Sequence, residues 1–388
     1  MFLIDKPFVS DFLINTIRDS NYEIVSTKEA RELIFDDSLN WVSEKTAIDI
    51  IEKEPNKAVY TNSENTITWI IKNLKSSVLS SQIQLFKDKF KFRELIKDTF
   101  PDFFYKTVKL EDIQEISLDE IAFPFVIKPS LGFFSLGVHI VHNLMEWNAA
   151  KMELSYKNLQ NIYPEEVLDT SVFIIEEYIE GEEYAIDCYF NNEREPVILN
   201  ILHHKFSSGI DVSDRVYSTS KNIILRHKNS IKAFLKPIGK KANLKNFPVH
   251  VEIRIDSKGI IRPIEINALR FGGWCTTADL SWYAFDFNSY DYFMNNKKPN
   301  WEQIFRNKGN KIYSIVVLNN NSGFTKSEIT HFNYDLLEKD FENVLKLRKL
   351  DIKQHPVFGF LFTETSSDNE EELSKILLSN LKKYISTE

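Results

Sequence analysis

Cysteine is scarce in this chain of 388 residues, which has only Cys188 and Cys275. Neither cysteine lies in a spacing that is typical of a zinc site, and two cysteines do not make the disulfide framework of a small secreted domain. Cys188 stands in an apolar strand-like run and Cys275 follows a Gly-Gly-Trp turn. We therefore interpret both as small core residues rather than as reactive thiols.

Long apolar runs and an excess of positive charge are also missing. No segment approaches the roughly 18 consecutive apolar residues of a membrane span, and the first segment is interrupted by Asp5, Lys6 and Asp11. The 48 basic and 56 acidic residues give a net charge of −8, which argues against a general nucleic-acid or membrane surface. We expect a soluble cytoplasmic protein with no nucleic-acid and no membrane partner.

The short motifs of several common enzyme classes are absent as well. No Gly-rich dinucleotide fingerprint follows the first predicted strand, no Walker sequence occurs, and no triad-like motif is visible. The composition, with 43% hydrophobic and 27% charged residues, is nevertheless that of an ordinary globular protein. The length predicts two or three domains.

Changes of pattern along the chain divide it into regions. Short apolar runs alternate with helical stretches up to about residue 80, which is typical of a small βαβ-type unit. A basic helix is predicted over 82–99, and strands dominate from Phe123. A strand at 172–179 is predicted to open a second lobe. The predicted regions are an N-terminal α/β domain at 1–85, a first α+β lobe at 86–165, a second lobe at 166–305 and a short α+β C-terminal extension at 306–388.

The segment 249–273 is the most informative part of the chain and is predicted to be an amphipathic β-hairpin. Apolar and polar residues alternate in both halves, which is the pattern of half-buried strands. A turn is predicted at 256–259, where Gly259 ends a polar tetrapeptide. The polar side of the hairpin carries two carboxylates and an amide.

The register around this turn predicts that Glu252 faces Pro263 and shares a sheet face with Glu265 and Asn267. Two carboxylates about 4 Å apart repel by roughly 4 kcal/mol at an effective dielectric constant of about 20. A divalent cation such as Mg²⁺ removes this conflict, since it binds carboxylate and amide oxygens and completes its shell with water and phosphates. A solvated sheet face is the plainer interpretation of the hairpin taken alone.

A second pattern surrounds Lys128, which ends an apolar strand. The loop after it contains Gly132, Ser135 and Gly137. Glycines allow backbone amides to approach phosphate oxygens, and a lysine at a strand end supplies a fixed positive charge. An ordinary hairpin loop explains the same residues equally well.

A third pattern is the apolar strand that breaks into a run of carboxylates at 174–183. It is either a solvated strand end or an adenosine seat. In the second case backbone groups near Glu177 and Ile179 meet the adenine edge, Glu176 accepts a hydrogen bond from the adenine amino group, and Glu183 holds the ribose hydroxyls. The three patterns together would supply phosphate, nucleoside and metal contacts in one chain.

In their order and spacing these pieces make residues 82–301 resemble the ATP-grasp superfamily, which includes D-alanine:D-alanine ligase and biotin carboxylase. The resemblance implies an ATP-grasp fold, in which two α+β lobes enclose ATP, with the N-terminal and C-terminal regions added to it. The ATP-binding residues that it implies are Lys89, Lys128, Ser135, Glu176, Glu177, Ile179 and Glu183. The ligands that it implies for Mg²⁺, or alternatively Mn²⁺, are Glu252, Glu265 and Asn267.

Two arginines are implied as catalytic residues. Arg215 occupies the place of a basic residue that contacts the γ-phosphate. Arg270 lies in Ala-Leu-Arg-Phe-Gly-Gly after Asn267, which departs from the pattern of both named branches, and we assign it to the substrate carboxylate or its phosphate. Glu252 stands where many members of the family have Asp, an exchange that preserves the carboxylate ligand.

The resemblance implies a ligase that activates a small carboxylate as an acyl phosphate for attack by an amine and releases ADP and phosphate. Its partners would be the small-molecule carboxylate and amine, and the oligomeric state stays open, a homodimer being one option. The alternatives are a carboxylase, a thiol ligase, a phosphotransferase or a non-catalytic ATP-binding regulatory protein. Phe133, Phe134 and the loop at 207–220 are either lids or ordinary mobile loops.

Overall fold

The structure is a computed structural model that describes residues 1–131, 137–154, 169–208 and 214–387, and the elements below belong to these residues. The predicted site residue Ser135 and the predicted lid residues Phe133 and Phe134 lie outside the described residues. So do residues 209–213 of the predicted lid loop.

The N-terminal region is the small α/β unit that the sequence predicts. Its strands form a parallel sheet in the order β3-β2-β1-β4. Ser10, Thr27 and Ser43 begin the first three helices, each accepting a hydrogen bond from the backbone N–H three residues later. The elements are β1 (Phe2–Leu3), α1 (Asp11–Asp19), β2 (Ile24–Val25), α2 (Lys28–Leu33), β3 (Trp41–Val42), α3 (Glu44–Lys53), β4 (Tyr60–Thr61) and α4 (Asn65–Asn73).

The single basic helix predicted over 82–99 is instead two helices, α5 (Val78–Lys87) and α6 (Lys89–Ile96). The prediction was wrong because Asp88 has an extended backbone and begins a new helix. Its carboxylate accepts hydrogen bonds from the N–H groups of Phe90 and Lys91 and from the Ser130 hydroxyl. Asp88 therefore fixes the start of α6 against the first lobe.

The first lobe is an antiparallel sheet in the order β5-β8-β6-β7, covered by a helix. The sequence places the strand at 172–179 in the second lobe, whereas β8 pairs with both β5 and β6. The physical reason is that Phe173 and Ile175 pack in the same apolar cluster as Phe125 and Trp147. The elements are β5 (Tyr105–Lys109), a 3₁₀ turn (Leu110–Glu115), β6 (Phe125–Leu131), β7 (His139–Val141), α7 (Leu144–Glu153) and β8 (Asp169–Glu177).

The second lobe is built on a large antiparallel sheet in the order β13-β12-β9-β10-β11-β14-β17-β16. The region at 306–388 was predicted as a separate extension, but β14 pairs with β11 and so continues this sheet. The strands are β9 (Glu182–Phe190), β10 (Pro196–Lys205), β11 (Val216–Ser220), β12 (Phe247–Ile255), β13 (Ile261–Ala268), β14 (Lys311–Asn319), β15 (Ile329–Phe332), β16 (Val344–Lys349), β17 (Val357–Ser366) and β18 (Ile385–Thr387).

Helices cover this sheet, and β15 pairs with β18 beside it. The main apolar core runs from the N-terminal unit into the large sheet, so that the two regions share one interior. Within the described part of the chain, no helix combines the length and the apolar character needed to cross a membrane. The helices are α8 (Lys221–Lys241), α9 (Thr276–Phe285), α10 (Ser289–Met294), α11 (Trp301–Ile304), α12 (Tyr334–Glu338) and α13 (Glu370–Leu377).

Candidate active site

β12 and β13 form the predicted hairpin. Its acidic residues lie on one face, as predicted, but the pairing between the two strands differs from the prediction. Glu252 lies directly opposite Glu265, not opposite Pro263, because a bulge at Ile264 shifts the pairing between Glu252 and Ile253. The bulge adds one residue to β13 and brings the two carboxylates into direct opposition.

The two carboxylates have unequal surroundings. Burial raises the pKa of Glu252 well above its usual range, and the charge of Glu265 raises it further. Burial also disfavours the Glu265 carboxylate, but Lys89 and Lys128 outweigh it and lower the pKa of Glu265. Glu252 is therefore the group whose negative charge lacks compensation.

Asn267 completes the predicted metal set, since its side-chain nitrogen donates to Oε1 of Glu265 at 3.1 Å. Two carboxylates and an amide fit a hard divalent cation, because a cation at this position would offset the charge conflict at Glu252. No group of three or more His, Cys, Asp and Glu side chains forms a metal centre among the residues described. Water and phosphate oxygens would have to complete the coordination shell.

Lys89 begins α6 and faces this pair, with its Nζ 3.9 Å from Oε2 of Glu265. Lys128, near the end of β6, is buried and forms an ion pair with Glu176. The two predicted phosphate lysines thus approach the hairpin from two different elements, and both lower the pKa of Glu265.

Glu176 is bound by cations on both sides. Nε of Arg93 donates to its Oε2 at 2.7 Å, and Lys128 pairs with its Oε1. Burial opposes ionisation, but Arg93 and Lys128 lower the pKa of Glu176 to about 2. Burial lowers the pKa of Lys128. The contacts of Glu176 indicate that its carboxylate positions the lysine, while its predicted bond to the adenine amino group stays a prediction.

Arg93 was missed by the sequence reasoning. Besides Glu176, it donates to the carbonyl oxygens of Pro263 at 2.8 Å and Ile264 at 3.3 Å. These carbonyls belong to the bulge, so Arg93 links the first lobe to the position where Glu265 is aligned. The sequence feature that could have revealed Arg93 is its position between the apolar residues Phe92 and Ile96 of a helix.

The predicted adenosine seat lies at the junction of β8 and β9. Glu183 accepts hydrogen bonds from Nε of Arg254 at 3.1 Å and lies 2.8 Å from Nδ1 of His204. Arg254 also donates to the carbonyl oxygen of Ile179 at 2.6 Å. Arg254 therefore pairs with Glu183 and also holds the backbone at Ile179.

Glu177 points away from Glu176, as successive residues of a strand do. Its side chain is 36% exposed, and its Oε1 lies 3.9 Å from Nε of Arg262. Gly181 follows with φ +127°, and a Cβ atom there would overlap the Ile255 carbonyl. A glycine is thus required where the adenosine seat meets the hairpin.

The two predicted catalytic arginines lie on different elements. Arg215 precedes β11 and is 1% exposed. Arg270 follows β13, and its Nε donates to Oε1 of Glu64 at 2.9 Å. The charges of Glu252 and Glu265 also act on Arg270, which places it near the acidic pair.

Asp187 is a second residue that the sequence reasoning missed. It is fully buried, and its Oδ1 lies 2.8 Å from Nδ1 of His250 and accepts from the N–H of Gly272 at 3.0 Å. Asp187 therefore connects the hairpin to the turn that carries Arg270. The sequence feature that could have revealed Asp187 is an aspartate between the apolar residues of β9.

A family model and several curated proteins match parts of this chain. Residues 121–278 match the family model of the ATP-grasp domain. A D-alanine–D-alanine ligase of Bacillus anthracis is 31% identical over 175 residues, which are 44% of this chain and 51% of that protein. D-alanine–D-alanine ligase A of Bacillus cereus is 36% identical over 103 residues, or 26% of this chain and 29% of that protein. The chain thus spans about half the length of these curated relatives, or less.

Solved structures show the same architecture over nearly the whole chain. The L-amino acid ligase from Bacillus licheniformis superposes with a TM-score of 0.71 at 15% identity, covering 100% of this chain and 98% of that one. Biotin carboxylase from Campylobacter jejuni gives 0.63 at 10% identity, covering 100% and 92%. The predicted fold is confirmed: the chain contains an ATP-grasp domain at residues 121–278 and has the ATP-grasp fold.

Proposed function

We propose that this protein is an ATP- and Mg²⁺-dependent ligase that activates a small carboxylate as an acyl phosphate for attack by an amine, releasing ADP and phosphate. The observation that carries this proposal is the direct opposition of Glu252 and Glu265 beside Lys89 and Lys128. The carboxylate oxygens would hold a divalent cation, and the two lysines beside them would bind the negative phosphates of ATP.

In this proposal Glu252, Glu265 and Asn267 hold Mg²⁺, for which Mn²⁺ can substitute. Bound there, the metal would neutralise charge on the phosphates. Lys89 and Lys128 bind phosphate oxygens, and the ion pair with Glu176 fixes the position of Lys128. Phosphoryl transfer depends mainly on positioning and charge neutralisation, which a buried lysine in a fixed place provides.

The remaining predicted residues are assigned roles around this centre. The backbone at Glu177 and Ile179 meets the adenine, and Glu183, which Arg254 and His204 orient, holds the ribose. Ser135 contributes to the phosphate loop. Arg215 neutralises the γ-phosphate. Arg270 binds the substrate carboxylate or its phosphate.

We also propose a division of the chain that keeps the N-terminal unit at 1–85 and moves the boundary between the lobes. Because β8 pairs within the first sheet, the first lobe runs from 86 to about 177. The second lobe then begins near Tyr178, and the region at 306–388 extends its sheet. A cytoplasmic location is part of the proposal, since it supplies ATP.

The proposal is tested by measuring ADP release with pairs of small carboxylates and amines. Amino acids come first, because the similar proteins named above include D-alanine–D-alanine ligases and an L-amino acid ligase. Hydroxylamine in place of the amine should trap the activated carboxylate as a hydroxamate. ADP release without hydroxamate would indicate another acceptor chemistry, and tight ATP binding with no ADP release from any pair would indicate a non-catalytic protein.

A further inference from the structure

A second cleft, of about 360 Å³, lies on the back of the large sheet. Tyr184 and His203 line it, whereas the residues next to them, Glu183 and His204, pair with each other on the opposite face. Glu252 lies across from Ala185 and therefore shares the face of Glu183. The cleft is thus separated from the candidate ATP site by the thickness of the sheet.

Cations and carboxylates both line this cleft, with Glu182 and Glu370 on the acidic side and two cations at the start of α8. Lys221 is the first residue of that helix and Arg226 lies one turn further, and neither forms an ion pair within the described residues. The first turn contains no acidic residue. The amino end of a helix is itself positive, so two cations at this end are disfavoured by the helix dipole, and a bound anion would offset the repulsion.

A buried histidine faces the same cleft without a polar partner. His227 is 9% exposed and lines the cleft, and among residues 1–131, 137–154, 169–208 and 214–387 no hydrogen bond or ion pair reaches its ring nitrogens. Its ring nitrogens are not fully buried, so they reach the cleft and can form a hydrogen bond with a ligand there. The Tyr184 ring lies between His203 and His227, at centroid distances of 5.0 and 4.8 Å, and holds both rings in the wall.

We propose that this cleft binds a small anion that carries a phosphate group. Lys221 and Arg226 would bind the phosphate oxygens, and His227 would hydrogen-bond to the same ligand. The Ser220 hydroxyl already accepts from the N–H of Ile223, so the two side chains supply the main contacts. Lys205 and Lys311 also line the cleft, but Lys205 pairs with Glu370, and Lys311 pairs with Glu342 and Glu364. The ligand is distinct from ATP, since the hairpin and its lysines lie on the other side of the sheet.

The test is calorimetric titration of inorganic phosphate and of glycerol 3-phosphate into the full chain, saturated with Mg²⁺ and a non-hydrolysable ATP analogue. The wild type should bind, and the double variant Lys221→Ala/Arg226→Ala should bind at least about tenfold more weakly, because two charged donors are lost. The control is Lys232→Ala/Lys240→Ala, which removes two exposed cations of α8 outside the cleft and should bind as the wild type does.

A second readout is the nitrogen resonances of the His227 ring, which should shift when phosphate is added to the wild type and not when it is added to the double variant. Tighter binding of glycerol 3-phosphate would assign a phosphate monoester, and tighter binding of inorganic phosphate would assign the free ion. Absence of binding to the protein saturated with the ATP analogue, or equal weakening in both double variants, would overturn the proposal. None of these measurements requires turnover, so their outcome is independent of the proposed ligase activity.

Discussion

Two acidic groups of the candidate active site have opposite surroundings. Glu176 lies between Arg93 and Lys128, which outweigh the effect of burial and lower its pKa to about 2. Glu252 lies opposite Glu265, and burial together with that second carboxylate raises its pKa well above the usual range. One carboxylate is fully compensated by the protein and the other is not.

The difference separates a structural charge from a charge that is kept for a ligand. A compensated cluster such as that of Glu176 fixes the positions of Lys128 and Arg93 whether or not ATP is bound. An uncompensated carboxylate costs free energy in the folded protein, so its presence beside a second carboxylate indicates a ligand of opposite charge. Substitutions at Glu176 and at the Glu252–Glu265 pair should therefore have different effects.

The largest expected effect is on turnover. Glu265→Gln should reduce ADP release about 10³-fold or more, because charge stabilisation by a bound metal contributes several kcal/mol to phosphoryl transfer. Steady-state ADP release with a reactive substrate pair measures it. The matched control is Glu371→Gln on α13, where the side chain is 75% exposed, which should keep full activity. Full activity in Glu265→Gln would contradict the assignment of the metal ligands.

The next largest effect is on stability. Glu176→Gln leaves Lys128 and Arg93 buried without their carboxylate and should lower the free energy of unfolding by about 3 to 5 kcal/mol. Urea unfolding measures this change. Glu177→Gln alters the neighbouring, partly exposed residue of the same strand and should change stability by less than about 0.5 kcal/mol. Equal losses in the two variants would mean that the buried cluster has no special role.

The free energy of unfolding should also depend on pH because of the Glu176 cluster. Because folding lowers the pKa of Glu176 from 4.5 to about 2, its contribution is complete above about pH 5 and is lost as the pH falls from 4.5 to 2. The full contribution is about 3 kcal/mol, since one pKa unit corresponds to about 1.4 kcal/mol. Unfolding curves between pH 2 and 6 should show this loss in Glu177→Gln and not in Glu176→Gln.

The smallest effect has the opposite sign. Glu252→Gln should raise the free energy of unfolding by about 1 kcal/mol at pH 8 without divalent cations, because it removes an uncompensated charge that is 30% exposed. Urea unfolding with a chelator present measures it. If Glu252→Gln destabilised the protein as much as Glu176→Gln, the two carboxylates would have similar roles, contrary to our interpretation.

The sequence predicted the parts of this site that depend on local alternation. The shared face of Glu252, Glu265 and Asn267 follows from the period of two along each strand, and the opposed carboxylates are found there. The exact partner of Glu252 did not follow, because the bulge at Ile264 is held by Arg93, which is 171 residues away in the chain.

Long-range contacts also explain the other differences. Glu176 looked available to adenine because its partners Arg93 and Lys128 are distant in sequence, and the ion pairs appear only after β8 joins the first sheet. The break at Asp88 depends on a hydrogen bond from Ser130 as well as on local capping. The N-terminal unit was predicted correctly because its apolar runs and helix caps are local signals.

The central claim is that the uncompensated pair Glu252 and Glu265 holds the metal of an ATP site. Calorimetric titration of a non-hydrolysable ATP analogue, with and without Mg²⁺, tests it most directly in the wild type and in Glu265→Gln. We expect Mg²⁺ to tighten binding at least about tenfold in the wild type and to have little effect in the variant. The same gain from Mg²⁺ in both proteins would contradict the account.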